Sequence, residues 1–338
     1  MNRHMYERFY SFNGMPFQLA PDGRFYFGSQ EHSKAMSYLE YGLAQREGFV
    51  VVTGEIGAGK TTLVEHLLET IDQQQYVIAR IVTTQLGGYD TLCMIGAAYN
   101  LYQEGMDKSA LIARLTHFFS GLRAQRKYPL IIVDEAQSLT TEAIEEIRML
   151  SNIVLGGGAP FQGVLLGQPE FRIALSRPNL QQFRQRIIAS CHLGALSLED
   201  TRRYIEHRLK RVGWAQDPAI SEGAFEEIHR RSGGIPRRIN LLCSRLLLLG
   251  YLEESHAIDA EHVTNVSDEM NRESGPFSVG EEPVVGENAD LGHGNDAAIK
   301  SEILARLSKL ERTTEKLDRA IVRGLDLVLK YFPSQGLK

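Results

Sequence analysis

Short β-branched runs alternate with longer stretches in which apolar residues return every three to four positions. The runs at 49–53, 76–82, 130–134, 163–166 and 188–193 have the length and composition of buried strands. The stretches 61–71, 109–126 and 141–155 carry helical spacing. Strand and helix in alternation predict a parallel sheet covered on both faces, because parallel neighbours require a crossover that lies on the sheet. After Leu196 the strand pattern stops, and 198–212, 222–231, 236–252 and 259–270 all read as helices. The expectation is an α/β domain over 1–196 and a small all-helical domain over 197–270.

Past residue 270 the pattern changes again. The stretch 271–297 holds five glycines, two prolines and six acids against Arg272, with little aliphatic periodicity. That composition predicts a flexible acidic linker. Apolar residues then return at Ile303, Leu307, Leu310, Leu317, Ile321, Leu325 and Val328. Their three-four spacing predicts an amphipathic helix over 298–332, either a coiled-coil seam or a helix folded back on the body.

Composition narrows the class without choosing a function. A length of 338 residues suits about two domains, and 43% hydrophobic with 23% charged residues is ordinary for a soluble globular chain. A net charge of −5 argues against wholesale coating of nucleic acid. No apolar run reaches the roughly 18 residues of a membrane span, and the amino terminus lacks a signal-peptide core. Cys93, Cys191 and Cys243 are far apart with no metal-ligand spacing, which fits reduced thiols in a cytoplasmic protein.

The chemistry concentrates in two places. Gly54-Glu55-Ile56-Gly57-Ala58-Gly59-Lys60-Thr61 matches G-x-x-x-x-G-K-[ST] at every required position, with Thr62 opening the helix beyond. A strand enters this loop and a helix leaves it. Glycines let the main chain bend around phosphates and aim its N–H groups inward, and the helix amino terminus adds positive potential. Lys60 would neutralise the β- and γ-phosphates of ATP, and Thr61 would offer its hydroxyl to Mg²⁺. The second place is Leu130-Ile131-Ile132-Val133-Asp134-Glu135, where an apolar strand delivers two adjacent carboxylates to the sheet edge. Asp134 suits a metal-bound water and Glu135 suits activation of the attacking water. A third strand ends in Leu165-Leu166-Gly167-Gln168; if it lies beside the Asp134 strand, the Gln168 amide comes near the γ-phosphate.

The motifs GEIGAGKTT, LIIVDEAQ, LLGQPE, LQQFRQRI and SGGIPRRIN stand in the order found in AAA+ ATPases, which the chain resembles. More narrowly, the opening MYERFYSFNGMPFQLAPDGRFYFGSQEHSKAMSYLEYGL resembles ExeA/MshM-like ATPases, and most of all the ATPase encoded in exosortase (PEP-CTERM) and exopolysaccharide loci. The likeness covers about residues 5 to 270. It implies a P-loop AAA+ sheet domain, a helical lid and a carboxyl-terminal amphipathic helix. Gln168 takes the sensor-1 position, Arg237 matches the sensor-2 arginine of the lid, and Arg186 matches the arginine finger that reaches a neighbouring subunit, with Arg184 in reserve. Phe25, Tyr26 and Phe27 stand where relatives wrap adenine, though core packing explains them equally well. Shared sites imply a homo-oligomer, a ring or a filament. ExeA proper resembles a fusion to a membrane helix and a cell-wall-binding domain, so the shorter cytoplasmic relatives are the nearer comparison.

The leading expectation is a cytoplasmic Mg-ATP-dependent switch or motor, peripheral at the inner membrane through a secretion or polysaccharide-assembly partner. A second, from another class, is an ATP-gated DNA-binding regulator. From Phe171 to Arg245 fourteen lysines and arginines face seven acids, an excess that would grip phosphates in a salt-dependent way. No aromatic-basic reading motif accompanies them. A helicase is a poor match, since a second motor domain is missing. An ATP-locked scaffold would bind without turnover.

Overall fold

The computed structural model describes residues 5–20, 23–72, 74–82, 87–155 and 158–274. The expected amphipathic helix and all but the first residues of the expected acidic linker lie outside this range. Five parallel strands, β1 (Phe49–Gly54), β2 (Tyr76–Val82), β3 (Tyr128–Asp134), β4 (Gln162–Gly167) and β5 (Ile187–Leu193), form one sheet in the order β2-β3-β4-β1-β5. All five expected strands are present. The order places β4 between β1 and β3, so the two motif-bearing strands are not neighbours.

Side chains alternate across a strand, and each face of the sheet has its own cover. Phe49, Val51, Ile131, Val133 and Leu165 point to one side. They meet α4 (Gly88–Ala98), α5 (Lys108–Ala124), α6 (Thr141–Ser151) and α7 (Pro169–Ser176) through Ile95, Leu115, Ile147 and Phe171. Val50, Val52, Leu130, Ile132, Val164 and Leu166 point to the other. There Leu39 and Leu43 of α2 (Gln30–Gln45) and Leu63 and Leu67 of α3 (Lys60–Thr70) cover them. Each such aliphatic side chain contributes about 1.5–3 kcal/mol by leaving water. Thr140 caps α6 by accepting from Ala143 N at 3.2 Å, and Asp107 caps α5 by accepting from Ala110 N at 2.8 Å. Helix α6 stops at Ser151 rather than continuing to 155, where three successive glycines follow at 156–158.

A short helix α8 (Gln181–Arg184) precedes β5, and the chain then enters α9 (Leu198–Arg211), α10 (Glu222–Ser232), α11 (Pro236–Leu252) and α12 (Ala260–Ser274). Helix α12 runs four residues past the expected end at 270, into the stretch read as linker. The lid is not purely helical: β6 (Ala219–Ile220) and β7 (Ala257–Ile258) pair in parallel. Two residues per strand are too few to leave an alternation in the sequence. The lid core also draws on the other end of the chain. Helix α1 (Met5–Phe9) packs against α11. Tyr10, Phe12, Phe17 and Phe25 are buried with Tyr204, Leu209, Phe225 and Leu246.

The three cysteines are unpaired with one another. Burial pushes the Cys191 thiol up to about 11 and raises that of Cys243 further. Among the described residues, no helix is long and apolar enough to cross a membrane.

Candidate functional site

At the carboxyl edge of the sheet, residues 54–60 wrap the amino terminus of α3. Gly57 and Gly59 adopt φ of 83° and 98°, a region that side chains with a Cβ avoid. Space forbids a Cβ as well: one built on Gly57 would lie 2.3 Å from Arg237 Cβ, and one on Gly59 would lie 2.7 Å from His32 Nε2. The loop is thus a bare main-chain cradle, and the first N–H groups of α3 have no partner within the helix. Lys60 is buried and donates from Nζ to the carbonyls of Gly54 at 2.7 Å and Glu55 at 3.0 Å. Burial holds its ammonium below the usual lysine range, while Glu135, Asp134 and Glu55 pull it back up.

Strand β3 brings its carboxylates to the same place. Thr61 Oγ1 donates to Asp134 Oδ2 at 2.9 Å, and Asp134 Oδ1 accepts from the Glu135 N–H at 2.9 Å. Glu135 has φ 54°, ψ 40°, a conformation that a non-glycine residue holds only when its surroundings impose it. Those surroundings are visible: Glu135 Oε2 accepts from Gln137 Nε2 at 2.5 Å and from Gln168 Nε2 at 3.3 Å, and Gln137 Oε1 accepts from Gln168 N at 3.0 Å. Because β4 lies beside β3, Gln168 reaches this cluster, as its position at a strand end required. Gln137 ends the motif LIIVDEAQ, but nothing in the sequence marks a role for it beyond its place two residues after Glu135.

A cavity of about 210 Å³ opens over the loop. Its lining includes Gly57, Gly59, Lys60, Thr61, Glu135 and Arg237, and also Phe25, Tyr26, Phe27, Tyr204, Arg208 and Asn240. Helix α11 begins at Pro236, and its Arg237 N–H donates to Gly57 O at 3.2 Å, so the helix meets the loop end-on. Two helix amino termini therefore converge on the cavity and favour negative charge there. The second of these lining groups is built from distant parts of the chain. Buried Arg208 donates from Nε to Pro16 O at 2.6 Å, from Nη2 to Gln18 O at 3.4 Å and from Nη1 to the Tyr204 hydroxyl at 2.6 Å. That hydroxyl donates to Asn240 Oδ1 at 2.8 Å, and the guanidinium sits 4.7 Å from the centre of the Phe25 ring. Tyr26 stacks on His66 of α3 with ring centres 3.9 Å apart. Phe25, Tyr26 and Phe27 thus both pack and line the cavity. Arg208 and Tyr204 lie outside every local motif, and Asn240 ends the motif SGGIPRRIN with no role marked for it there.

Arg186 is elsewhere. It precedes β5, which runs parallel to β1, so it sits at the opposite edge of the sheet from the loop. There it donates to Ser151 O at 3.4 Å and lines a polar depression with Arg148, Asn152 and Gln182. Arg184, the reserve candidate, donates to Leu175 O at 2.5 Å and Arg177 O at 2.8 Å at the end of α7.

The residues present fit a magnesium nucleotide. The cradle admits only main chain, a desolvated ammonium lies against two main-chain carbonyls, and Thr61 stands against a buried carboxylate. Among the described residues, no cluster of three or more histidines, cysteines or acids stands ready to hold a metal alone. A cation here would share its ligands with a phosphate, as magnesium does in nucleotide sites.

Comparison with known proteins agrees with this geometry. Residues 43–175 match the model of a family described as an AAA domain. The chain is 35% identical over 283 residues to General secretion pathway protein A of Aeromonas hydrophila. The match covers 80% of this chain and 51% of that protein, so the chain spans about half the length of this relative. Among solved structures, the ORC2 protein of Aeropyrum pernix in ADPNP-ADP complexes aligns with TM-score 0.55 at 17% identity, over 79% of this chain and 72% of that one. Cdc6p from Pyrobaculum aerophilum aligns with TM-score 0.58 at 15% identity, over 74% of this chain and 71% of that one. These two likenesses speak for the fold alone, a P-loop fold of AAA+ type.

Proposed function

Since the chain belongs to the ExeA/MshM-like AAA+ ATPases, we propose that it binds Mg-ATP in the cavity and hydrolyses it, as an oligomeric switch or motor serving envelope secretion, pilus or exopolysaccharide assembly. The observation that carries the reading is the contact between Thr61 and Asp134 with Glu135 held beside it by two glutamine side chains. The process served rests on the name of the Aeromonas relative and on the resemblance of the opening residues to ATPases of exosortase and exopolysaccharide loci.

Each residue has a task under this reading. Residues 54–62 hold the phosphates with main-chain N–H groups, and Lys60 leaves its carbonyl partners to neutralise them. Thr61 and Asp134 hold Mg²⁺, which when bound supplies charge neutralisation on the phosphate oxygens. Glu135 takes a proton from the attacking water, and Gln168 and Gln137 keep its carboxylate oriented. Arg237, exposed on the first turn of α11, reads the phosphate end and links lid closure to binding. Arg186 acts on the site of a neighbouring copy, since its own cavity lies across the sheet. A guanidinium there is worth on the order of a thousandfold in turnover. Sites of this kind join copies head to tail.

Replacing Glu135 by Gln should leave ATP affinity within about twofold and lower turnover by at least about a hundredfold. Unchanged turnover would remove Glu135 from its role. In the same assay, wild-type turnover per subunit should rise with protein concentration, and Arg186→Ala should abolish that rise. A DNA-binding role gains less support. Of the fourteen cations between Phe171 and Arg245, Arg202, Arg203, Lys210, Arg230, Arg231 and Arg245 are paired with carboxylates. Arg208 is buried and Arg184 is engaged by carbonyls.

A further inference from the structure

The geometry points to His32 as a positioning residue for the phosphate cradle: its imidazole holds the Ala58–Gly59 peptide in the orientation that presents the Gly59 N–H to phosphate. This rests on the reading of the cavity as the ATP site. His32 lies in the first turn of α2, an element outside every nucleotide motif in the sequence.

The ring is 6% exposed and spans two fixed points. Nε2 is 3.1 Å from Ala58 O, and Nδ1 is 2.8 Å from Ser29 Oγ. A carbonyl oxygen only accepts, so Nε2 must carry the proton. Burial holds the imidazole below its usual range, which keeps it neutral near pH 7. Nδ1 is then bare and accepts from the Ser29 hydroxyl. The same Ser29 Oγ caps α2 by accepting from the His32 N–H at 3.3 Å. Ring, hydroxyl and helix start thus lock one another, and the tautomer is set from outside the loop.

The consequence follows from peptide planarity. Carbonyl and N–H point in opposite directions across a trans peptide bond. Tying the Ala58 carbonyl to the ring therefore sets the direction of the Gly59 N–H on its far side. The ring also occupies the space where a Gly59 side chain would begin, 2.7 Å from the Cβ position. With φ at 98°, Gly59 has wide freedom when unrestrained. A glycine-rich loop without this support would spend binding energy on being ordered by its ligand. The support comes from a helix that also covers the sheet through Leu39 and Leu43, so it is rigid.

The test measures binding of Mg-ATP and of inorganic tripolyphosphate to the full chain by calorimetry, for wild type, His32→Leu and His32→Gln. Leucine keeps bulk without a donor; glutamine returns an N–H donor of similar reach. His32→Leu should weaken both ligands by about five- to tenfold, the worth of one buried hydrogen bond, and His32→Gln should recover to within about twofold. A His32→Leu protein that binds both ligands as tightly as wild type, or a glutamine variant no better than leucine, overturns the inference. Wild type without ATP affinity would instead defeat the reading of the cavity. Should His32→Leu fail to melt cooperatively, Ser29→Ala decides: a loss of about threefold in tripolyphosphate affinity supports the lock, and none overturns it.

Discussion

The two sets of residues that line the cavity are made in opposite ways. The set proposed for the phosphates is one unbroken run, 54–62, with Asp134, Glu135 and the first turn of α11 added. It works through main-chain geometry and charge. The other set is assembled from residues 16–20, 25–27, 204, 208 and 240, and holds together through packing and one buried polar network. A loop that must curl around phosphates needs glycine at set intervals, so its chemistry is written in local order. A wall that must only fit a flat ring can be built from any residues the fold brings together.

The contrast can be tested with two probes, ATP and tripolyphosphate, which share only the phosphate end. The largest effect is expected at Gly57, where φ is 83° and a Cβ meets Arg237 at 2.3 Å. Gly57→Val should weaken both probes by more than about a hundredfold, since the cradle itself is lost. If only ATP suffered, the set proposed for the phosphates would be wrongly placed.

Arg208→Met should separate the probes. Removing the guanidinium frees residues 16–18 from α9 and leaves the Tyr204–Asn240 pair alone. ATP affinity should fall by about tenfold, while tripolyphosphate binding stays within about twofold. Equal loss of both would mean that Arg208 only stabilises the lid.

The smallest effect is expected at Glu227, which belongs to neither set. Its carboxylate accepts from Arg230 and from Arg231 at 2.7 Å, and these two charged donors hold it at about 2; it also accepts from Thr264 at 3.3 Å. Because the folded value is depressed, the stabilisation is full above the ordinary glutamate range near 4.5 and fades as pH falls toward about 2. Glu227→Gln should cost about 1 kcal/mol at pH 7, a difference from wild type that shrinks in thermal melts below about pH 4, with both probes unaffected.

Much of this molecule could be read before its structure. The inner strands β1, β3 and β4 are short apolar runs buried on both faces, and that demand fixes their composition. That Lys60, Thr61 and Asp134 come together was legible from the two motifs and the strands that carry them. Helix α2 was not foreseen: its apolar positions Ala35, Leu39 and Leu43 are spaced by four and interleaved with tyrosines and glycine, a weak stripe. With α2 unseen, His32 had no context. The pair β6 and β7 was too short to show a period.

The chain's order alone determined that a strand, a glycine loop and a helix would follow one another around Lys60, because dihedral freedom and helix polarity act over neighbouring residues. Only the tertiary structure decided which residues would support that loop. The insertion of β4 between β1 and β3 delivers Gln168 to Glu135, parallel β5 carries Arg186 to the far edge, and the amino-terminal aromatics close the lid. Those outcomes depend on how faces pack across long sequence separations, and packing accepts many residues where backbone geometry accepts one.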